Sequence, residues 1–125
     1  MIEVKDEPTP DGAGEKEQEM IKSVEGERIE KVLKKEDFLI TLDLRGKMKT
    51  SEEFSRLLEE CGLQGNSRIT FVIGGSLGLS KSVLDRSQMI LSFSKLTFPH
   101  PLMKLILLEQ IYRGFRIWKG EPYHK

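Results

Sequence analysis

The chain has 125 residues, 38% of them hydrophobic, which suits one compact domain of residues 1–125 with a real core. Its only cysteine, Cys61, excludes a disulfide framework and argues against a zinc site built from thiolates; Cys61 is expected to be a buried thiol. With 20 acidic and 20 basic side chains the net charge is zero, which excludes nucleic-acid binding through overall charge alone.

The first third of the chain is predicted to hold the end of a strand, a mobile loop and one helix. Residues 2–4 read as the end of a strand, and residues 8–18 are rich in proline, glycine and charge, which indicates a mobile loop. An amphipathic helix follows, because apolar residues recur at three- and four-residue steps. These are Met20, Ile21, Val24, Ile29, Val32 and Leu33.

The middle of the chain alternates predicted strands with predicted helices. Short apolar runs at residues 37–44, 68–74 and 89–94 are typical of buried strands, and residues 45–49 are predicted to form a loop. Thr50 and Glu53 have the spacing of a capping box. The helix they open carries Phe54, Leu57 and Leu58 on one face and ends at Gly62, and Ser80 is expected to cap a short helix over residues 81–86.

The last third is predicted to be a stiff loop and the longest helix. Residues 95–101 contain two prolines, and Pro101 suits the first turn of a helix over residues 102–118. That helix is apolar at Leu102, Leu105, Ile106, Leu108, Ile111, Tyr112 and Phe115. Because strands and helices alternate and the strands are apolar on both faces, the fold class is predicted to be α/β with a largely parallel sheet.

Three loops are predicted to meet at one ligand site. In an open parallel sheet, ligands bind at the carboxyl ends of the strands, where residues 43–47, 74–80 and 95–101 would lie. The glycine-rich loop, residues 74–80, fits neither the dinucleotide fingerprint nor the P-loop, and it could also be a simple tight turn without a ligand. In the proline-rich loop, Leu96 and Phe98 could wall a slot for an adenine ring, or the loop could be only a rigid connector.

Polar residues add few candidates for chemistry. Two histidines without acidic partners at ligand spacing make a metal site improbable, and His100 is expected to be structural. Glu109, Arg113 and Arg116 share one helix face, which is either a solvated, salt-bridged face or a grip for a phosphate. The acidic N-terminus does not resemble a signal peptide and the apolar runs are too short to span a membrane, so a cytoplasmic protein is predicted.

Five motifs in order resemble a known family. Residues 41–47, 71–79, 91–102, 107–117 and 122–125 are similar to bacterial ribosomal RNA large-subunit methyltransferase H, the pseudouridine N3-methyltransferase family of the SPOUT superfamily. The resemblance runs from about residue 2 to the end. It implies a SPOUT-type, mostly parallel sheet with a deep trefoil knot in the C-terminal half. It also implies that the family's first strand and helix are lacking here.

The resemblance implies a cofactor, a target and site residues. S-adenosyl-L-methionine would be bound by Leu42, Gly74, Gly75, Phe93, Ser94, Lys95, Leu96, Thr97 and Phe98. His124 is the first candidate for proton acceptor or hydrogen-bond partner and Glu109 the second, while Arg113 and Tyr123 would position RNA. The family implies a homodimer, in which the tail meets the partner's cofactor site, acting on 23S rRNA in assembled ribosomes. No metal is needed because the sulfonium already activates the methyl group.

Three alternatives remain open at this point. A related SPOUT methyltransferase could act on transfer RNA instead of ribosomes. A non-catalytic RNA- or ribosome-binding module is a second alternative, suggested by the expected absence of the first strand and helix. An enzyme that binds a nucleotide phosphate through residues 75–82 is the most distant, because Ser80 stands where a P-loop requires glycine.

Overall fold

The computed structural model describes residues 14–65, 68–74 and 79–124. In these ranges the elements are α1 (Glu15–Val32), β1 (Phe38–Met48), α2 (Ser51–Leu63), β2 (Ile69–Ile73), α3 (Lys81–Arg86), β3 (Met89–Ser92) and α4 (His100–Trp118). All described strand pairs are parallel, in the order β2-β1-β3. The predicted α/β class with a parallel sheet is therefore confirmed, while the predicted strand end at residues 2–4 lies outside the described residues.

The central strand β1 is longer than predicted. It pairs with β3 from Ile40 to Leu42, the register then shifts, and pairing resumes at Lys47 and Met48. The prediction of a loop over residues 45–49 is therefore wrong for residues 45–48. The cause is a close approach of two backbones at Gly46, where a Cβ atom would lie 2.7 Å from the carbonyl carbon of Ile90.

Helix α1 begins earlier than predicted, and part of its apolar face points to solvent. The predicted mobile loop over residues 8–18 is wrong for residues 15–18, which are helical; Glu15 and Glu17 in the first turn favour this through the helix dipole. Ile21 and Ile29 are buried as the periodicity requires. By contrast Met20, Val24 and Val32 are exposed. They lie on a different face of α1 from that of Gly26, which is the face that packs against Ser80 and α3.

Helix α2 begins where its capping box predicts. The Thr50 hydroxyl accepts a hydrogen bond from the Glu53 backbone N–H at 3.1 Å, and the Glu53 carboxylate accepts one from the Thr50 N–H at 2.8 Å. The helix continues one residue beyond the predicted end at Gly62. Ser80 precedes α3 as predicted, but its hydroxyl contacts Ser82 and makes no capping hydrogen bond.

The core lies on both faces of the sheet. The larger cluster joins β1, β3, α2 and α4 through Ile40, Leu42, Phe54, Leu58, Leu91 and Leu107. A smaller cluster joins α1 and α3 through Ile29, Leu79 and Val83. In β2, Phe71 and Ile73 pack against the larger cluster and Val72 packs against the smaller one. Because side chains alternate along a strand, these two helix pairs cover opposite faces of the sheet. Cys61 is buried in α2, as expected.

Helix α4 carries an exposed apolar face. It begins at His100, two residues before the predicted start, with Pro101 in its first turn. Only Leu107 and Gly114 of this helix are buried. The exposed apolar face of α4 consists of Leu102, Leu105, Leu108, Tyr112, Phe115 and Trp118. Among the described helices, none is both long enough and apolar enough to span a membrane.

Candidate functional site

A cavity of about 400 Å³ lies at the carboxyl-terminal side of the three described strands. Residues 42–45 within β1, residues 73–74 at the end of β2 and residues 91–94 from β3 and its following loop line it. Leu96, Thr97, Phe98, His100 and Met103 complete the wall, together with Lys22 from α1. The strand ends meet here because parallel strands all finish at the same edge of a sheet.

Most of the predicted cofactor residues line this cavity. Those that do are Leu42, Gly74, Phe93, Ser94, Leu96, Thr97 and Phe98. Lys95 is exposed and does not line the cavity, although it lies in the same loop. Gly75 lies outside the described residues. The structure therefore brings together seven of the nine predicted residues, which come from three separate parts of the chain.

Hydrogen bonds fix the loop that follows β3. The buried Ser92 hydroxyl donates to the Ser94 carbonyl at 3.0 Å, and the Leu96 N–H donates to the Ser94 hydroxyl at 3.0 Å. Pro99 precedes α4 with φ −60°, a value that the proline ring imposes. These constraints leave Leu96 70% exposed beside the cavity. The loop thus presents apolar side chains that a flat aromatic ligand could cover.

Charged side chains line the rim of the cavity. Asp43 accepts hydrogen bonds from Arg45 Nε at 2.8 Å, from Arg45 Nη2 at 3.0 Å and from the Arg45 backbone N–H at 2.9 Å. The Arg45 guanidinium consequently holds the pKa of Asp43 below its usual value, so this carboxylate is ionised at neutral pH. Lys22 is the second cation of the wall, with a side chain only 22% exposed and its Nζ 3.4 Å from the exposed Glu19 carboxylate.

The four predicted catalytic residues form a second group, away from this cavity. This group consists of Glu109, Arg113, Tyr123 and His124, together with Glu52 of α2, which contacts His124. We call these five residues the tail cluster. Arg113 donates to Glu109 Oε1 from Nε at 2.8 Å and from Nη2 at 2.6 Å. The Tyr123 hydroxyl lies 3.3 Å from the same oxygen, and the Arg113 guanidinium stacks 4.8 Å from the Tyr123 ring centroid.

The tail cluster is held by opposite charges. Hydrogen bonds from Arg113 hold the pKa of Glu109 below its usual value, which disfavours Glu109 as a proton acceptor at neutral pH. His124 lies next to the chain end and is hydrogen-bonded to α2 and α4. No member of the tail cluster lines the cavity of its own chain.

Sequence reasoning missed several residues that surround the two groups. Lys22 lies far upstream of the motifs, and the apolar periodicity of α1 hides its position at the cavity. His100, which was expected to be structural, is also the first residue of α4 and lines the cavity. Glu52 lies 72 residues before its partner His124, so no spacing rule could pair them. Across residues 14–65, 68–74 and 79–124, no group of three potential metal ligands was found.

Comparison with known proteins gives one consistent result. The family described as predicted SPOUT methyltransferase matches residues 1–124. The ribosomal RNA large subunit methyltransferase H of Clostridium botulinum strain Langeland is 62% identical over 125 residues, which is all of this chain and 79% of that protein. The proteins of the same name from C. botulinum strain Eklund 17B and Clostridium beijerinckii strain ATCC 51743 are 57% and 58% identical over the same shares.

Proposed function

The chain belongs to the SPOUT methyltransferase family, and on that premise we propose that it transfers a methyl group from S-adenosylmethionine to 23S rRNA. The observation that carries this function is identity of 62% along the whole chain to an rRNA large subunit methyltransferase H. The target atom would be N3 of a pseudouridine, reached on assembled ribosomes in the cytoplasm. The names of these relatives favour neither a transfer-RNA enzyme nor a non-catalytic binding module.

The cavity suits S-adenosylmethionine in shape and chemistry. Leu96 and Phe98 offer apolar surface to an adenine ring, and Gly74 has no side chain to obstruct a ligand. The cofactor supplies an activated methyl group on its sulfonium, so the chain's own residues need only bind, orient and exclude water. The deep trefoil knot implied for the C-terminal half remains part of this proposal and rests on family membership.

We place the methyl acceptor between two subunits. The tail cluster does not line the cavity of its own chain, so in a homodimer it would serve the partner's cavity. The exposed apolar face of α4 supports this arrangement, because contiguous apolar surface of this kind marks a protein interface. Arg113 and Tyr123 would then position the RNA, while His124 and Glu109 stand beside the target base.

Lys22 is expected to bind the carboxylate of the cofactor's methionine part. Asp43 is paired directly with Arg45 at the cavity rim, whereas the ion pair that the described residues give Lys22 is with the exposed Glu19 carboxylate at 3.4 Å. A charge-assisted hydrogen bond contributes roughly 1.5–3 kcal/mol, so Lys22→Met should raise the Kd for S-adenosylmethionine about tenfold or more. The affinity for 5′-methylthioadenosine, which lacks the amino-acid part, should not change. Calorimetry on both ligands measures this.

The control for this prediction is Lys31→Met, an exposed lysine in the last turn of the same helix, which should bind both ligands as the wild type does. Equal weakening of both ligands by Lys22→Met would contradict a role at the carboxylate. It would indicate general damage to the cavity.

The function is tested by methyl transfer to ribosomes that lack the modification. Transfer of a labelled methyl group, followed by mass-spectrometric mapping, should place one methyl group on a pseudouridine of the large-subunit RNA. Ribosomes that already carry the methyl group are the matched control and should accept none. Because the net charge is zero, naked RNA should be a poor substrate. Methylation of free transfer RNA but not of ribosomes would overturn the proposal.

A further inference from the structure

Both ring nitrogens of His124 have partners in the tail cluster. Nε2 lies 2.6 Å from Glu52 Oε1, at the first turn of α2. Nδ1 lies 3.0 Å from Arg113 Nη1, on α4. One imidazole thus connects the C-terminal tail to two helices that are distant in the sequence.

These two contacts determine where the imidazole carries its proton. The Arg113 guanidinium has five N–H donors and no acceptor, so Nδ1 must accept a hydrogen bond and therefore carries no proton. Nε2 then carries the ring proton and donates it to the Glu52 carboxylate. A proton on Nδ1 instead would point at an Arg113 N–H, which is unfavourable. The arrangement therefore favours the Nε2–H tautomer over the Nδ1–H tautomer.

The partners of His124 are themselves held in place. Arg113 is fixed by two hydrogen bonds to Glu109 and by stacking on Tyr123. The Glu52 backbone N–H and then the His124 hydrogen bond hold the pKa of Glu52 below its usual value, so the acceptor is ionised. In the part of the chain that the structure describes, the titratable or charged groups that contact His124 or its direct partners are Glu52, Glu109, Arg113 and Tyr123.

We propose that Glu52 is a positioning residue for methyl transfer, which acts by fixing His124 in its Nε2–H tautomer against Arg113. In this arrangement His124 joins α2, α4 and the tail through hydrogen bonds and does not accept the N3 proton. The inference rests on the proposed function and changes the role first expected of His124. Arg113 and Tyr123 can hold RNA in register only while this connection keeps the tail in place.

Two substitutions of His124 separate positioning from proton transfer. The glutamine side chain offers a donor group, its NH2, and an acceptor oxygen, so it can replace both kinds of hydrogen bond, but it cannot gain a proton near neutral pH. His124→Gln should therefore keep kcat within about threefold of wild type, while His124→Ala should lower kcat/KM by about tenfold or more. A general base contributes about 10²-fold or more, so comparable losses of that size in both variants would overturn the inference.

Glu52 is tested in the same assay. Glu52→Ala should reduce kcat/KM about as much as His124→Ala does. The double variant should fall no further, since each single variant already breaks the hydrogen bond between Glu52 and His124. Glu52→Gln keeps an acceptor oxygen and should recover most of the activity. Glu60→Ala, an exposed change on the same helix outside the tail cluster, is the control and should match wild type. Additive losses for Glu52→Ala and His124→Ala would contradict the proposal.

A spectroscopic measurement distinguishes this inference from the proposed function. Nitrogen-15 NMR of the full chain labelled at histidine should show an unprotonated Nδ1 and a protonated Nε2 for His124, and Glu52→Ala should disturb that pattern. If the wild-type protein methylates no ribosome, the proposed function fails while the NMR result still decides the tautomer. A protonated Nδ1 in the wild type would overturn the inference. The pH profile of His124→Gln should keep the wild-type shape.

Discussion

Replacing Gly46 with alanine is expected to lower the free energy of unfolding by about 2–3 kcal/mol or more and to abolish measurable cofactor binding. An added Cβ would lie 2.7 Å from the carbonyl carbon and oxygen of Ile90 and 2.8 Å from the carbonyl carbon of Leu91. These are backbone atoms of β3, which cannot shift without moving the strand. Gly46 is not among the described glycines with positive φ, so space and not backbone freedom requires glycine here.

The effect on binding follows from the position of Gly46 between two walls of the cavity. Arg45 precedes it, and the displaced strand β3 continues into the loop that carries Phe98. Urea unfolding and calorimetry with S-adenosylmethionine measure both effects. Gly14→Ala, which meets nothing within 4 Å, is the control and should cost no more than about 1 kcal/mol, the usual effect of alanine at a helix N-cap. A Gly46→Ala protein with wild-type stability and affinity would show that the backbones do not approach so closely.

Replacing Leu91 with alanine is expected to lower the free energy of unfolding by about 2–5 kcal/mol. The side chain is 2% exposed, belongs to the larger core cluster and also lines the cavity. Removing its methyl groups leaves a void beneath the loop over residues 93–98, so affinity for the cofactor should fall with stability. Small domains are stable by only about 5–15 kcal/mol, which makes this one of the most damaging single changes available.

A matched leucine separates burial from residue type. Leu63→Ala removes the same atoms from a side chain that is 79% exposed, and it should cost less than about 0.5 kcal/mol. Denaturant titration measures both variants, and their free energies of unfolding are comparable if the dependence on denaturant concentration, the m-value, is the same for both. If Leu91→Ala were as stable as Leu63→Ala, β3 would not pack against β1 in the described register.

Local signals predicted much of the fold. The capping box of Thr50 and Glu53 lies within four residues, so its geometry depends little on the rest of the chain, and α2 begins where it indicates. The predicted end of β1 was wrong because the strand is extended by the close approach of Gly46 to Ile90, and these two positions are far apart in the sequence. Periodicity predicted α4 but not which side is covered, since apolar residues recur alike on core faces and on faces left exposed, such as Leu105.

The candidate site could be predicted only in part for the same reason. The rule that ligands bind at the carboxyl ends of parallel strands depends on topology alone, and it placed the cavity beside Gly74 and Phe98. The rule does not identify side chains that reach the cavity from a helix, and so Lys22 was missed. The partnership of Glu52 with His124 depends on how α2 and the tail pack, which no spacing rule describes.

Hydrogen exchange with and without S-adenosylmethionine tests most directly whether the strand ends form the methyl-donor site. Binding should slow exchange of backbone amides in residues 42–45 and 93–98, the segments that supply most of the cavity lining, and should leave the last turns of α1, beyond Lys22, unchanged. Adenosine triphosphate, a nucleotide without the methionine part, should give much weaker protection at the same concentration. Unchanged exchange in both segments at saturating cofactor, or protection confined to another surface, would contradict this account.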